Sequence, residues 1–568
     1  MKGTDVSSRT STVATRVFVP AAAVILAVVA ITLLFPQQFS DFITEGNQVV
    51  IDSIGWYYVL IVTGFVFFAL WLAFSRLGDV TLGNDGEEPQ YGLGSWFAML
   101  FAAGMGIGLV FYGAAEPLIH FAGPPPGVEG SDQAVAQAAM NRTFLHWGVH
   151  AWAIYVVVGL AVAYAVHRRG RPVSIRWALE PLIGRRLAQS WLGDLIDIAA
   201  IVGTVFGVAT SLGLGVSQIG SGLEFLGWVS VSETLLVVLI VAITAAATIS
   251  VVTGLDKGIK YLSNTNMVLA AVLVVAVLVL GPTLFLAREF VQNLGSYLQN
   301  FLGLSFTTLP FYGEDGTTWL GGWTTYYWGW WISWSPFVGI FIARISRGRT
   351  VREFVIGVLL VPTLVTFLWF SVLGGSALYR EMFGGGGLVG ADGQVDQTAA
   401  LFQLLDGFPG GTVLAGLAVI LVIIFFVTSS DSASFVVDMI SHGGDPNPPV
   451  WSRVFWALLE GAIAAVVLGM VGAELGLTAL QIMAILVAVP FSVVMILMAV
   501  ALAIGLRREH RRTLALERQV LQRELLAELQ EAATNGAPDT AGPVLVGDRG
   551  RRRWGRNRSR SRPQEEPR

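Results

Sequence analysis

Between residues 17 and 505 the chain carries twelve apolar stretches, each close to the length that crosses a hydrocarbon core as a helix. They fall at 17–35, 54–74, 95–118, 144–166, 195–218, 233–254, 267–287, 323–345, 354–376, 411–436, 452–473 and 479–505. No water reaches such a core, so each stretch has to satisfy its own backbone groups, and an all-α integral membrane protein follows. Hydrophobic residues make up 54% of the chain and charged ones 13%, more apolar than a soluble core of 568 residues requires. Residues 1–16 are predicted to be a cytoplasmic segment, with the first span running beyond the short core of a cleavable signal.

Charge in the loops sets an orientation. Arg168, Arg169, Arg171, Arg176, Arg185 and Arg186 follow the fourth stretch, and Arg344, Arg347, Arg349 and Arg352 follow the eighth. Positive loops remain on the cytoplasmic side. Loops of the other parity carry acids such as Asp41, Glu45, Glu314 and Asp392, so both termini are predicted to be cytoplasmic. After the membrane domain (17–505), residues 506–532 read as a charged cytoplasmic helix and 533–568 as a flexible tail, with nine arginines from Arg549 to Arg568. Such a tail suits anionic lipid as well as a plain solvated end. A net charge of −4 suggests no nucleic-acid partner, and the lack of cysteine excludes disulfides and thiol chemistry.

Two stretches contain interruptions. "AAGMGIGLVFYGAAEP" places Gly104, Gly106 and Gly108 on alternate positions, and "WGWWISWSPF" sets Pro336 behind four tryptophans. Glycine weakens a helix and proline removes one of its hydrogen bonds, so both are predicted to break at membrane depth. Irregular backbone is tolerated there where it lines a cavity, as in carriers; glycines that only permit close packing are the alternative.

Tyr327, Trp330, Trp331 and Trp334 are spaced to share one helical face. Trp334 lies about 15 Å inside the arginine-marked end of its helix, too deep for an interfacial anchor. "HWGVHAWAIY" adds Trp147, Trp152 and Tyr155. Grouped aromatic faces attract a cation that offers no hydrogen bonds, such as a quaternary ammonium, and a neutral box also lets it go again. An aromatic-rich core between helices is the plainer reading.

At these residues the chain closely resembles the betaine/choline/carnitine transporter (BCCT) family, above all its sodium-coupled glycine betaine carriers. The resemblance covers about residues 15–505, through "AGMGIGLVFYGAAEPL", "HWGVHAWAIYVVVG", "WGWWISWSPFVGIFIARISRGRT" and "TSSDSAS". It implies twelve transmembrane helices, two extra ones followed by two inverted five-helix LeuT-like repeats (94–287 and 322–505), assembled as a homotrimer. It places the aromatic box on Trp147, Trp152, Tyr155 and Trp331, with Trp330 and Trp334 along the path. Gly104, Met105, Gly106 and Gly108 would meet the substrate carboxylate. Glycine at 108, where the family's proton-coupled choline carriers are acidic, favours a zwitterion. One sodium site would fall on Ala102, Met105, Phe425, Thr428 and Ser429. The other retains Thr204 and Phe337, but Val208 stands where the family has a second threonine.

The resemblance thus implies a secondary active importer of glycine betaine or a similar compatible solute, with sodium as coupling ion and no other cofactor. The alternatives are a proton-coupled or exchange carrier for ectoine, proline, carnitine or choline, and, from another class, a membrane osmosensor. Osmotic regulation is less clearly implied, because the acidic N-terminal extension of osmosensing members is replaced here by one acid, Asp5. No nucleophile, metal cluster or phosphate loop points to an enzyme. Glu116 and Asp431 are buried acids expected either to function or to act as hydrogen-bonded scaffold, and Glu460 is a candidate proton relay. His146 and His150 have zinc-like spacing with no converging acid in the sequence, so no metal beyond sodium is expected.

Overall fold

A chain that has to satisfy its backbone internally across so many apolar stretches has little choice but helix. The computed structural model, which describes residues 13–104, 106–253 and 256–534, is helical almost throughout, and its β-pairing among those residues is a single bridge between Thr81 and Thr350. The principal helices are α1 (Thr15–Leu34), α2 (Pro36–Phe74), α3 (Leu93–Gly104), α4 (Ile107–Ala122), α5 (Asp132–Trp147), α6 (Val149–Ala163) and α7 (Trp191–Phe225). They continue with α8 (Glu233–Thr253), α9 (Asp256–Leu280), α10 (Thr283–Ser305), α11 (Tyr326–Ile345) and α12 (Val351–Phe383), then α13 (Gly411–Ser441), α14 (Val450–Val471) and α15 (Ala473–Thr534).

Among the described residues, ten stretches are long and apolar enough to cross a membrane: α1, α2, the run 132–168, α7, α8, α9, α12, α13, α14 and α15. The third and eighth expected spans miss that criterion for different reasons. The third is split into α3 and α4. In α11, six of the twenty residues are Tyr or Trp, whose polar N–H and O–H groups lower the mean hydropathy.

Three expectations are corrected. The seventh stretch does not run from 267 to 287: α9 ends at Leu280, and after Gly281-Pro282 the chain turns into α10. That helix is amphipathic, burying Leu286, Asn293 and Tyr297 on one face, a pattern hydropathy averaging does not see. The fourth stretch is not one helix but breaks at Gly148. Pro336 does not break the eighth, because α11 runs straight through it. A proline there leaves the Ile332 carbonyl without its usual donor. The neighbouring Ser335 hydroxyl donates to that carbonyl at 2.7 Å and repairs the ladder.

The central packing positions the site. α11 lies against α3, α6 and α7, while α12 lies against α4, α5 and α6, and α13 packs on α7. On the side that carries the arginine-rich loops, the loop after α2 is stitched to the loop after α11. Leu82 donates to the Arg349 carbonyl and Gly348 to the Leu82 carbonyl, each at 2.8 Å, and Arg347 pairs with Glu87 at 2.6 Å. The Asn84 backbone N–H, followed by Arg347, holds the Glu87 carboxyl below the usual range.

Among the described residues, those up to His510 form one compact unit and those from Arg511 a second. The charged segment expected as a helix at 506–532 is helical. In the second unit Leu516, Leu521, Leu525 and Leu529 are exposed. The arginine-rich end lies outside the described residues.

Candidate functional site

The chain leaves helical geometry at Gly106 (φ −126°, ψ −164°), which caps α4 with no side-chain acceptor for the first N–H groups. Such an N-terminus offers unpaired donors and the positive end of a helix dipole. The glycines are required by what presses on them. A Cβ on Gly106 would lie 2.9 Å from the Trp334 ring, and one on Gly108 would overlap Trp330 and come within 3.0 Å of Trp147. Met105 lies outside the described residues; Ala102 and Gly104 belong to the helical backbone of α3, and their side-chain surroundings are not described.

The second break, at Gly148 (φ −95°, ψ −137°), releases carbonyls that side chains recover. The Trp331 indole donates to the His146 carbonyl at 3.0 Å, and the Thr366 hydroxyl donates to the Trp147 carbonyl at 3.1 Å. A Cβ at residue 148 would overlap the Phe144 carbonyl and lie 2.7 Å from Phe367. On an unbroken helix Trp147 would point about 140° away from Trp152. The break re-aims Trp147 toward α11.

There it joins a continuous lattice of rings. Trp147 meets Trp331 edge to face at 5.0 Å and Tyr327 at 5.5 Å, and Trp330 stacks on Trp331 at 4.5 Å. Tyr155 reaches Trp331 at 6.5 Å and Trp152 at 5.5 Å, while Trp334 abuts Trp330 at 6.4 Å. All six predicted ring residues are therefore linked, and all are buried. Tyr112, which sequence reasoning passed over, meets Trp147, Tyr327 and Trp330 between 5.6 and 6.3 Å. The Trp330 indole donates to Ser211 Oγ at 3.2 Å, whereas the Tyr155 hydroxyl and the Trp334 N–H have no partner.

Behind the rings sits Glu116, fully buried. Its Oε2 accepts the Trp147 indole at 2.6 Å and the Tyr327 hydroxyl at 2.5 Å, and its Oε1 lies 2.7 Å from His146 Nδ1 and 3.4 Å from His120 Nε2. An acid thus does converge on His146, contrary to the sequence reading. His146 and His120 supply the imidazoles, while His150 stacks on Trp328 instead. Two ligands of a tetrahedral zinc are separated by about 3.3 Å. The 2.7 Å contact is a hydrogen bond.

A profile described as "BCCT, betaine/carnitine/choline family transporter" matches residues 16–511. The chain belongs to the betaine/carnitine/choline transporter family. It is a multi-pass membrane carrier and not an enzyme. It is 53% identical to an uncharacterized transporter of Mycobacterium tuberculosis over 86% of this chain and 81% of that one. With the glycine betaine transporter OpuD of Bacillus subtilis it shares 45% identity over 86% of this chain and 94% of the other. A glycine betaine transporter of Acinetobacter baylyi is 43% identical over 88% of this chain and 74% of its own.

In this BCCT-family carrier the hydroxyls considered for sodium are distributed unevenly. Thr428 Oγ1 donates back to the carbonyls of Ile424 (2.9 Å) and Phe425 (3.2 Å), a common habit of helical threonine that leaves its oxygen free to accept or ligate. Phe425 is buried beside it, and Ser429 is half-buried. On α7, Thr204 is buried with its hydroxyl unpartnered, and Val208 one turn on is wholly buried. Phe337 packs on Trp334 at 5.7 Å, and Gly207 brings α7 onto that same tryptophan. The other two acids that the sequence singles out are held by hydroxyls: Ser250 donates to Asp431 at 3.0 Å, and Ser434 and Ser430 donate to Glu460 at 3.1 and 3.3 Å.

Proposed function

We propose that the protein imports glycine betaine or a closely related methylated solute by sodium symport. The observation that carries this reading is the meeting of two helix breaks at one aromatic lattice. The start of α4 has no side-chain cap at Gly106, and a Cβ on Gly108 would come within 3.0 Å of Trp147, which in turn meets Trp331. A zwitterion with a carboxylate at one end and a trimethylammonium at the other matches that pair of features: amides for the anion, ring faces for the cation. The relatives named glycine betaine transporters support the same substrate.

In the conformation described, Trp147 and Trp331 are in van der Waals contact, so the rings have to part to admit a head group. Binding energy spent on separating them links occupancy to conformation, which a carrier requires. Trp330 and Trp334 flank the box, and Trp152 backs Tyr155. Sodium would be held by hydroxyl and carbonyl oxygens at Thr428, Ser429, Phe425, Ala102 and Met105, since hard cations prefer oxygen. The unpartnered Thr204 hydroxyl would serve a second site, with Phe337 as the family resemblance implies.

On this reading the protein lies in the plasma membrane with both termini cytoplasmic. It has twelve spans as two inverted repeats after two leading helices, works as a homotrimer, and protects against osmotic stress, its basic tail resting on anionic lipid. The test is uptake of labelled glycine betaine into proteoliposomes under a sodium gradient and, separately, a proton gradient. Accumulation with sodium alone supports the reading. Accumulation with protons alone overturns the coupling, and no uptake of betaine overturns the substrate.

A further inference from the structure

A box of neutral rings needs no carboxylate, yet this one has a carboxylate directly behind it. Burying Glu116 at membrane depth is costly, and its surroundings point to the ionised form. An indole N–H can only donate, so Trp147 fixes Oε2 as an acceptor, and the Tyr327 hydroxyl adds a second donor to the same oxygen. On the other side, His146 Nε2 lies 3.0 Å from Thr324 Oγ1. Assigning the threonine proton to Nε2 leaves the Nδ1 proton for Glu116 Oε1, a tautomer inferred from the network. The three groups hydrogen-bonded to the carboxylate, His146, Trp147 and Tyr327, then all donate to it, while His120 Nε2 lies 3.4 Å from Oε1 without a hydrogen bond.

Both donors to Oε2 are rings of the lattice that faces the site. A negative charge bonded to an indole N–H or a phenol O–H pushes electron density into the ring and deepens the negative potential on its face. Resting on the substrate class given above, we propose that Glu116 is the buried counter-charge of the aromatic box. It acts through Trp147 and Tyr327 as a positioning and specificity-determining residue that favours a positively charged methylammonium head over an uncharged head of the same shape. Its charge reaches the ligand without touching it, so the box gains cation selectivity while the cation never forms a contact ion pair that would slow its release.

The experiment compares glycine betaine with 3,3-dimethylbutanoate, which has carbon in place of the charged nitrogen. Affinities of both are measured on purified full-length protein, wild type and Glu116→Gln. Glutamine can keep the geometry, its oxygen accepting from Trp147 and Tyr327 and its amide donating to the other tautomer of His146. The expected result is about a ten-fold loss of betaine affinity, the scale of cation–ring attraction, with the isostere changed less than about two-fold. Equal losses for the two ligands would mean a purely structural anchor and would overturn the proposal, as would no loss for either. Wild type that binds no betaine would overturn the substrate reading itself, and this inference with it. If the glutamine variant yields no folded protein, Trp147→Phe, which keeps a ring but removes the link to the carboxylate, must lower the betaine-to-isostere ratio. An unchanged ratio in that variant would overturn the proposal equally.

Discussion

Trp331 closes the break in the neighbouring helix: its indole N–H lies 3.0 Å from the carbonyl of His146, two residues before Gly148 interrupts the α5–α6 run. On the proposed reading, one side chain serves both as a wall of the aromatic box and as the donor that satisfies irregular backbone at membrane depth. Replacing Trp331 with leucine removes both roles. Loss of one well-placed ring is worth about 0.5 to 2 kcal/mol. We expect betaine affinity to fall by about two- to thirty-fold, and near-normal affinity in a binding isotherm would remove Trp331 from the box.

Gly148 itself is intolerant for a steric reason. A methyl group there meets the Phe144 carbonyl and the Phe367 ring, which is stacked on Phe144 and has little room to retreat. Overpacking of this kind costs about 1 to 3 kcal/mol. Gly148→Ala is expected to lower the melting temperature of the detergent-solubilised protein and to slow uptake. A variant with wild-type stability would show that the α5–α6 junction can relax.

These breaks show how far the sequence could be read. The split between α3 and α4 was visible, because Gly104, Gly106 and Gly108 alternate in a way no ordinary span requires. The Gly148 break was hidden, since one glycine between a tryptophan and a valine reads as tolerated, and its compensating donors, Trp331 and Thr366, come from helices remote in sequence. Spacing alone grouped Tyr327, Trp330, Trp331 and Trp334 on one face and Trp152 with Tyr155, but it turned Trp147 away, and only the family resemblance set that ring in the box. The grouping of Glu116 with Trp147 and Tyr327 was not, because the contacts span intervals of 31 and 211 residues. Helix α10 escaped because averaging hydropathy erases an amphipathic pattern.

The helix through Pro336 offers a test by double-mutant cycle. Ser335→Ala strands the Ile332 carbonyl, and a buried unsatisfied acceptor costs about 1 to 3 kcal/mol. In a Pro336→Ala background, the new backbone N–H at 336 can take that carbonyl, so the same serine change should cost markedly less. Thermal unfolding of the four proteins measures the coupling. Additive effects would mean that Ser335 contributes nothing to repairing the ladder.

Val208 bears on the number of sodium ions. It is wholly buried one turn beyond Thr204, whose hydroxyl has no partner, so the pair presents one oxygen where the family pattern presents two. On the proposed reading, with one sodium held at α13, the sodium dependence of betaine uptake should have a Hill slope near one. Val208→Thr supplies the missing hydroxyl at nearly unchanged volume, and although an unpartnered buried hydroxyl costs about 1 to 3 kcal/mol, a bound cation would offset it. The slope should therefore rise toward two, and added sodium should stabilise the variant more than the wild type. A variant that is less stable and keeps its shallow sodium dependence would show that Thr204 and residue 208 do not face a cation at all.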